Sequence, residues 1–250
     1  MKRSSAELKS MARGAMIGNY GLFVGAILIS GLIGFLSSYL TNFLIGPNGT
    51  TFSTILNYII NFLFSLLMQL LAAGVMKIAL SISRHEPTGL KDLFFAFTHH
   101  PDRFLVIGLI FTVIQLIFVT IPADVISLAY VSSMTATSSV YELLISSYSY
   151  LGVVSLVSSL GNLLVLIITL GFSMAMFLLV DHTDISALDA LKESWHMMRG
   201  NKWNYFYVTF ITFIGLCILG AFSCGIAYLW IFPYMHVTKA MYYRSIKNEF

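Results

Sequence analysis

Two short groups of metal-capable side chains interrupt a sequence that is otherwise poor in reactive groups. One group is His99, His100 and Asp102, and the other is Asp181, His182 and Asp184. Imidazole and carboxylate groups bind metal ions or transfer protons when they converge. Adjacent histidines on a helix point in different directions, so only a loop could gather the first group. The second group suits helix termination and capping, and we predict no metal site, no cofactor and no catalytic residue.

Polar residues also recur within the apolar part of the chain. Asn57, Asn61, Ser65 and Gln69 are spaced four residues apart and therefore share one helix face, which Gln115 and Asn162 could complement from other helices. Such residues either line a groove for a small solute or lipid, or form hydrogen bonds between helices. We favour the second role. An ion-coupled carrier is expected to hold a carboxylate near the middle of the membrane, and the apolar stretches contain none.

The amino-acid composition indicates that the polar residues of the apolar stretches lie in a membrane. Hydrophobic residues make up 58% of the chain and charged residues only 10%, whereas about a quarter of a soluble domain is charged. The formal net charge of +3 favours contact with anionic lipid headgroups, and nothing in the sequence indicates nucleic-acid binding. We therefore predict an all-α, polytopic membrane protein that forms a single integral membrane domain over residues 1–250.

Six stretches are long and apolar enough to cross a bilayer, which takes about 20 residues. The predicted spans are 20–45, 55–82, 104–121, 161–180, 203–222 and 226–243. The last two are separated because residues 203–238 carry no Asp, Glu, Lys or Arg and would extend about 54 Å as one helix. We predict a tight turn at 223–225. Residues 122–150 form either an interfacial helix or an extension of the fourth span.

The basic residues determine the predicted orientation. All fourteen Lys and Arg residues fall in, or close to the cytoplasmic end of, segments that the six-span topology places in the cytoplasm. Because basic residues resist translocation, both termini are predicted to be cytoplasmic. A five-span chain would instead leave Lys239, Arg244 and Lys247 outside.

Short amphipathic segments precede the first, third and fifth predicted spans. Residues 1–18 form the first, and Ser4 with Glu7 resembles a capping box at its start. Each segment is predicted to lie in the membrane interface, so that three units of interfacial helix plus transmembrane hairpin are one interpretation of the architecture. The predicted membrane-interface motif comprises Gly200, Asn201, Lys202, Trp203, Pro233 and Tyr234.

Three sequence stretches carry a resemblance to a known family. They are Met1–Lys9 with Gly18–Gly21, Ala190–Ser194 with Met197–Trp203, and Gly225–Tyr234 with Thr238–Ala240 and Tyr242–Tyr243. Together they resemble the bacterial integral-membrane family called domain of unknown function 975. One departure is Leu216, which follows Phe213–Gly215 where such proteins commonly have Trp. The resemblance implies a bacterial plasma-membrane protein and no established reaction, substrate or catalytic residue.

The sequence therefore favours a non-enzymatic membrane protein that acts as an accessory, scaffold or envelope-homeostasis factor. Its expected partners are membrane lipids and a membrane protein. The alternative is a carrier or channel for a small solute or lipid, which the polar residues from Asn57 to Gln69 would line.

Overall fold

A computed structural model describes residues 4–45, 51–133 and 140–249, which form helices joined by short turns, with no strand among them. The all-α class is therefore confirmed. The α-helices are α1 (Ser5–Met16), α2 (Tyr20–Ile45), α3 (Thr51–Ser83), α4 (Phe95–Thr98), α5 (Pro101–Gln115), α6 (Ile121–Ser133), α7 (Val140–Gly171), α8 (Ala175–Asp181), α9 (Ala187–Met197), α10 (Lys202–Phe206), α11 (Thr212–Phe222) and α12 (Tyr228–Ile246). A 3₁₀ turn (Leu90–Phe94) precedes α4, and π-helical turns follow α5 (Leu116–Thr120) and α10 (Tyr207–Ile211).

Five helical segments are long and apolar enough to cross a membrane. They are Tyr20–Leu40, Ile55–Ser83, Pro101–Tyr130, Ile145–Asp181 and Lys202–Phe222. These correspond to the first five predicted spans, so the chain is a multi-pass membrane protein by the length and apolar character of its helices. The sixth predicted span corresponds to α12, which is a helix but does not belong to this set of five.

The chain divides into two compact units. The larger unit comprises Met1–Gly108 and Phe172–Phe250, and the smaller comprises Leu109–Gly171. In the larger unit, α12 packs against α1, α2, α3 and α11, while α3 also packs against α2, α8 and the 3₁₀ turn. The largest side chains in its core are fully buried and include Phe23, Phe177, Phe213 and Tyr243.

The 3₁₀ turn lies directly against the backbone of α3. A Cβ atom built on Gly74 would lie 1.8 Å from the Leu93 carbonyl oxygen, which no real side chain tolerates. Gly74 therefore allows the two backbones to touch. This contact holds the 3₁₀ turn, which lies in the connection between α3 and α5, against α3.

Two amphipathic helices begin and end in the same way. Ser4 accepts a hydrogen bond from the Glu7 N–H at the start of α1, as Ser186 does from the Asp189 N–H at the start of α9. After each helix comes a glycine with positive φ, 83° at Gly18 and 80° at Gly200. The following asparagine side chain then donates to the carbonyl four residues earlier, from Asn19 to Ala15 and from Asn201 to Met197. Each glycine lets the chain turn from one helix into the next.

The smaller unit contains the segment for which the sequence left two structures open. The helix continues past Thr120 into α6, and α7 begins as early as Val140, so the described residues of 122–150 extend both neighbouring helices. The Ser127 and Tyr150 hydroxyls lie 2.8 Å apart, and the Tyr130 and Tyr150 rings stack at 4.3 Å between centroids. Serines such as Ser127 donate to carbonyls within their own helix, so the polar composition does not interrupt it.

Pro122 does not end the third helical segment, although the third predicted span stops at residue 121. Pro122 lies inside the continuous helix Pro101–Tyr130, just after the π-helical turn Leu116–Thr120, and this wider turn accommodates the missing N–H. The Phe118 carbonyl, four residues before Pro122, faces Gly161 of α7. A Cβ atom on Gly161 would lie 2.1 Å from that oxygen, so the glycine permits the close approach.

Candidate functional site

Five charged side chains meet where α3, α8 and α12 end. They are Arg84, Asp181, Arg244, Lys247 and Glu249, and together they form the ion-pair cluster. Arg84 Nη1 donates to Asp181 Oδ1 at 2.6 Å, and Arg84 Nη2 donates to Glu249 Oε2 at 2.9 Å. Lys247 Nζ lies 2.7 Å from Asp181 Oδ2 and 3.5 Å from Glu249 Oε1. The cluster thus joins three helix ends that are far apart in sequence.

The ends of α3 and α12 share a local geometry that positions these side chains. His85 and Asn248 both have a φ of 57°, and the residue after each donates its N–H back to a carbonyl five residues earlier. These bonds run from Glu86 to Ser81 at 2.9 Å and from Glu249 to Arg244 at 3.0 Å. This is the Schellman arrangement, which reverses the chain at a helix end. It brings the Glu249 carboxylate to within 3.5 Å of Arg244 Nε.

Asp181 is the most enclosed member of the cluster, with its side chain only 8% exposed. The Tyr243 hydroxyl donates to Asp181 Oδ2 at 2.9 Å, and the buried Tyr243 ring stacks on Phe177 at 5.5 Å. A buried carboxylate without partners would cost several kcal/mol in lost hydration. Here Arg84, Lys247 and Tyr243 all donate to it, so the charge is compensated.

The acidic and basic groups of the cluster are paired with one another. Each oxygen of Asp181 and Glu249 accepts at least one hydrogen bond from an arginine or lysine. The hydrogen bond to Asp181 raises the pKa of the Arg84 guanidinium above its usual value, although partial burial opposes this effect. Arg84 is therefore permanently charged. The arrangement fastens helices together and leaves neither carboxylate without a donor.

A family model described as "Protein of unknown function (DUF975)" matches residues 1–249, which include the whole cluster. The chain belongs to this family. The resemblance inferred from the sequence is thereby confirmed. No curated protein and no solved structure matches the chain at a significant level.

In this DUF975 protein, the predicted polar face of α3 changes character along the helix. Asn57, Asn61 and Ser65 are exposed, and their hydrogen bonds in the described chain are made within α3 itself. The Asn61 amide donates to the Asn57 carbonyl at 2.9 Å and also bonds the Asn57 side chain. Gln69 is half-buried, its Nε2 lies 4.0 Å from Met176 Sδ, and its aliphatic part packs on Gly108.

The two other residues of the predicted groove form a pair in the smaller unit. Gln115 Nε2 donates to Asn162 Oδ1 at 3.4 Å, and the Asn162 amide donates to the Ser158 carbonyl at 2.8 Å. This is a hydrogen bond between helices, from α5 to α7. The groove itself stays a prediction, since the residues assigned to it lie in two separate units.

The predicted interface motif follows α9. Lys202 Nζ lies 3.5 Å from the centroid of the Trp195 ring, a cation–π contact, while Trp203 is 83% exposed. Asn201 is buried, and its carbonyl accepts a hydrogen bond from the Tyr242 hydroxyl at 3.2 Å. This bond connects the motif to α12. Gly200 supplies the positive φ described above.

Pro233 and Tyr234, the other two members of that motif, lie inside α12. Pro233 is buried, whereas Tyr234 is half-buried and reaches α1, where its hydroxyl donates to the Lys9 carbonyl at 3.4 Å. Its ring packs edge-on against Phe213 of α11 at 5.2 Å. Tyr234 therefore connects three helices of the larger unit.

The two metal-capable groups have other roles in the structure. Among the described residues, no three His, Cys, Asp or Glu side chains are placed to hold a metal ion. His99 stacks on Phe95 at 4.4 Å, and Ser186 provides the cap of α9. Asp181 is the last residue of α8, in agreement with the predicted helix termination, and its carboxylate belongs to the ion-pair cluster.

The partners of Asp181 were not identified from the sequence. Arg84 precedes Asp181 by 97 residues and Lys247 follows it by 66, and no periodicity links positions so far apart. The one usable signal was indirect. Arg84, Asp181 and Lys247 all adjoin predicted span ends on the same side of the membrane, where the topology brings helix ends together.

Proposed function

We propose that this DUF975 protein is a non-enzymatic, multi-pass protein of the bacterial plasma membrane that acts as a scaffold or accessory factor, for example in envelope homeostasis. The proposal rests on the positions of Asn57 and Asn61. Their amides are exposed on the apolar helix α3, and one bond between neighbouring turns leaves part of their hydrogen-bonding capacity unused. In hydrocarbon, an unused polar group is costly, and a polar residue on a partner helix would remove that cost.

The ion-pair cluster supports the absence of catalysis. A general acid or base must exchange a proton with a substrate, which requires a group that is accessible and poised to titrate. Asp181 and Glu249 are instead held by arginine and lysine donors. The cluster is therefore proposed to be structural.

We propose six spans with both termini in the cytoplasm, α12 being the sixth. Its uncharged first part, residues 228–238, precedes Lys239, Arg244 and Lys247, which would stay on the cytoplasmic side. The turn before it contains Cys224 and Gly225, with φ values of 52° and 88°, and the Gly225 N–H bonds the Gly220 carbonyl at 3.1 Å. This turn supports a hairpin of α11 and α12.

The matching ends of α1 and α9 support the proposed internal repeat. In the first and third units, a serine-capped helix is followed by Gly-Asn and then by the two helices proposed to form a transmembrane hairpin. The middle unit differs, because its 3₁₀ turn and α4 lead to His100, which has a positive φ of 51° in the place of glycine.

The scaffold proposal is tested by site-specific photocrosslinking in native membranes. A photoreactive residue at Asn61 should give one discrete adduct with a membrane protein, and copurification should recover that protein at a fixed stoichiometry. The matched control is the same residue at Leu163, an exposed position on α7. If Asn61 crosslinks only lipid, and a small solute or lipid copurifies in proportion to the chain, the scaffold is excluded and the carrier or channel is favoured.

A further inference from the structure

Two basic residues and two tyrosines converge where α1 packs against α12 and α2 begins. The Tyr234 hydroxyl donates to the Lys9 carbonyl at 3.4 Å, and the Arg13 guanidinium and the Tyr20 phenol lie near enough to interact with it electrostatically. Lys9, Arg13, Tyr20 and Tyr234 are called the α1–α12 site. Because Tyr234 also packs on Phe213, it fixes α1 at Lys9 against α11 and α12.

The charges of this site are uncompensated. Across residues 4–45, 51–133 and 140–249, neither Lys9 nor Arg13 forms an ion pair with a carboxylate. The two lie one helical turn apart, so they repel each other. Partial burial, with the nearby Arg13 charge, lowers the pKa of Lys9. An anion between them would relieve both effects.

Three arginines of the larger unit, Arg84, Arg103 and Arg244, are already engaged by the protein. Arg84 and Arg244 bind the carboxylate of Glu249, and Arg103 donates to the carbonyls of Thr183 and Ile185, the latter at 3.0 Å. Arg13 differs from them, since across residues 4–45, 51–133 and 140–249 its guanidinium donates to no carbonyl and no carboxylate. A guanidinium has five N–H donors, so most of its capacity is available to a ligand.

The position of the site indicates the ligand. Tyr20 is the first residue of the apolar span Tyr20–Leu40, so the site lies at the level of a membrane surface, where lipid phosphates are found. Arginine matches phosphate oxygens in a bidentate manner, and lysine adds a second charge. We propose that the α1–α12 site binds the phosphate of an anionic phospholipid through Arg13, Lys9 and the Tyr20 hydroxyl, with Tyr234 as a positioning residue.

The test uses the full chain, purified in mild detergent and titrated with phosphatidylglycerol or zwitterionic phosphatidylcholine. Native mass spectrometry counts the retained lipids, and thermal unfolding reports their stabilising effect. K9Q/R13Q should retain phosphatidylglycerol at least about tenfold more weakly than the wild type, because charge-assisted hydrogen bonds are lost. The control K91Q/K192Q removes the same charge from two exposed lysines and should bind phosphatidylglycerol like the wild type.

Equal retention of phosphatidylglycerol by K9Q/R13Q and its control would overturn the proposal. Equal retention of phosphatidylcholine and phosphatidylglycerol by the wild type would overturn it as well. Inorganic phosphate that stabilises the wild type as strongly as phosphatidylglycerol does would exclude a lipid ligand. If K9Q/R13Q does not fold, R13K keeps the charge but loses bidentate geometry. A weaker retention by R13K supports the site, and an unchanged one contradicts it.

Discussion

At the scale of single residues, Asp181 has the largest expected effect on stability. Asp181→Asn removes a negative charge from between Arg84 and Lys247 and leaves both cations poorly compensated. We expect a loss of about 3 kcal/mol in the free energy of unfolding, typical of breaking an enclosed ion pair. Thermal or denaturant unfolding in detergent measures it.

The control for this change is Asp184→Asn, which removes the same charge three residues away. Asp184 is exposed, and a surface substitution of this kind changes stability by less than about 0.5 kcal/mol. Equal losses for the two variants would show that the ion-pair cluster contributes nothing beyond net charge.

The amides of α3 provide a second prediction at this scale. Asn61→Leu should leave the melting temperature of the isolated protein nearly unchanged, because its described bonds are made within one helix. Gln69→Leu should lower stability by less than about 2 kcal/mol, since Gln69 is half-buried against Met176. In a chain that carries the photoreactive residue at the exposed Tyr58, one turn from Asn61, partner crosslinking should then be reduced by Asn61→Leu and not by Gln69→Leu. The reverse pattern would place the functional contact at Gln69.

At the scale of elements, the contact between α3 and the 3₁₀ turn predicts a severe glycine substitution. Gly74→Ala forces the backbones apart, because the new methyl group would overlap the Leu93 carbonyl. We expect a loss of at least about 3 kcal/mol, or no folded protein. Gly31→Ala in α2 is the control, since a Cβ atom built on Gly31 would have nothing within 4 Å, and it should be neutral or slightly stabilising. Similar stability for both alanine variants would contradict the backbone contact.

The helix α9 allows the interfacial prediction to be tested. Leu191 is buried against the protein, whereas Leu188 and Trp195 are exposed apolar residues and Lys192 is an exposed charge. A spin label at position 188 should be protected from an aqueous quencher in a bilayer, and one at position 192 should not. In detergent-free vesicles, equal accessibility of the two labels would place α9 away from the membrane surface.

At the scale of the whole molecule, the number of spans is the open prediction. A reporter fused after residue 249 should be cytoplasmic, and Cys224, which is exposed, should react with a membrane-impermeant maleimide from outside in a Cys217→Ser background. A reporter within 181–202 serves as the cytoplasmic control. An external reporter after residue 249 would mean that α12 does not cross the membrane.

The sequence was sufficient to predict features that depend on local composition. The first span was predicted to run from Tyr20 to Ile45, the bounds that α2 has, because an uncharged run has clear ends. The continuation of the third helix through Pro122 was not predictable, since the preceding π-helical turn depends on packing against α7. The ion-pair cluster and the α1–α12 site could not be predicted from the sequence either. Both unite residues that are far apart in sequence, and side-chain pairing over such separations leaves no periodic signal.

The ion-pair cluster also implies an order of assembly during synthesis. During synthesis, Arg84 is made first, and Asp181 follows it after 97 residues. Lys247 follows Asp181 after a further 66 residues. For the time it takes to make those residues, Asp181 has Arg84 as a partner but lacks the ammonium of Lys247 and the hydroxyl of Tyr243. The nascent helix bundle therefore lacks part of its stabilising ion pairs until α12 is inserted. If a ribosome stalls before α12 is made, we expect membrane quality-control proteases to degrade the incomplete chain readily. Insertion of the last helix would then be the step at which the chain becomes resistant to these proteases.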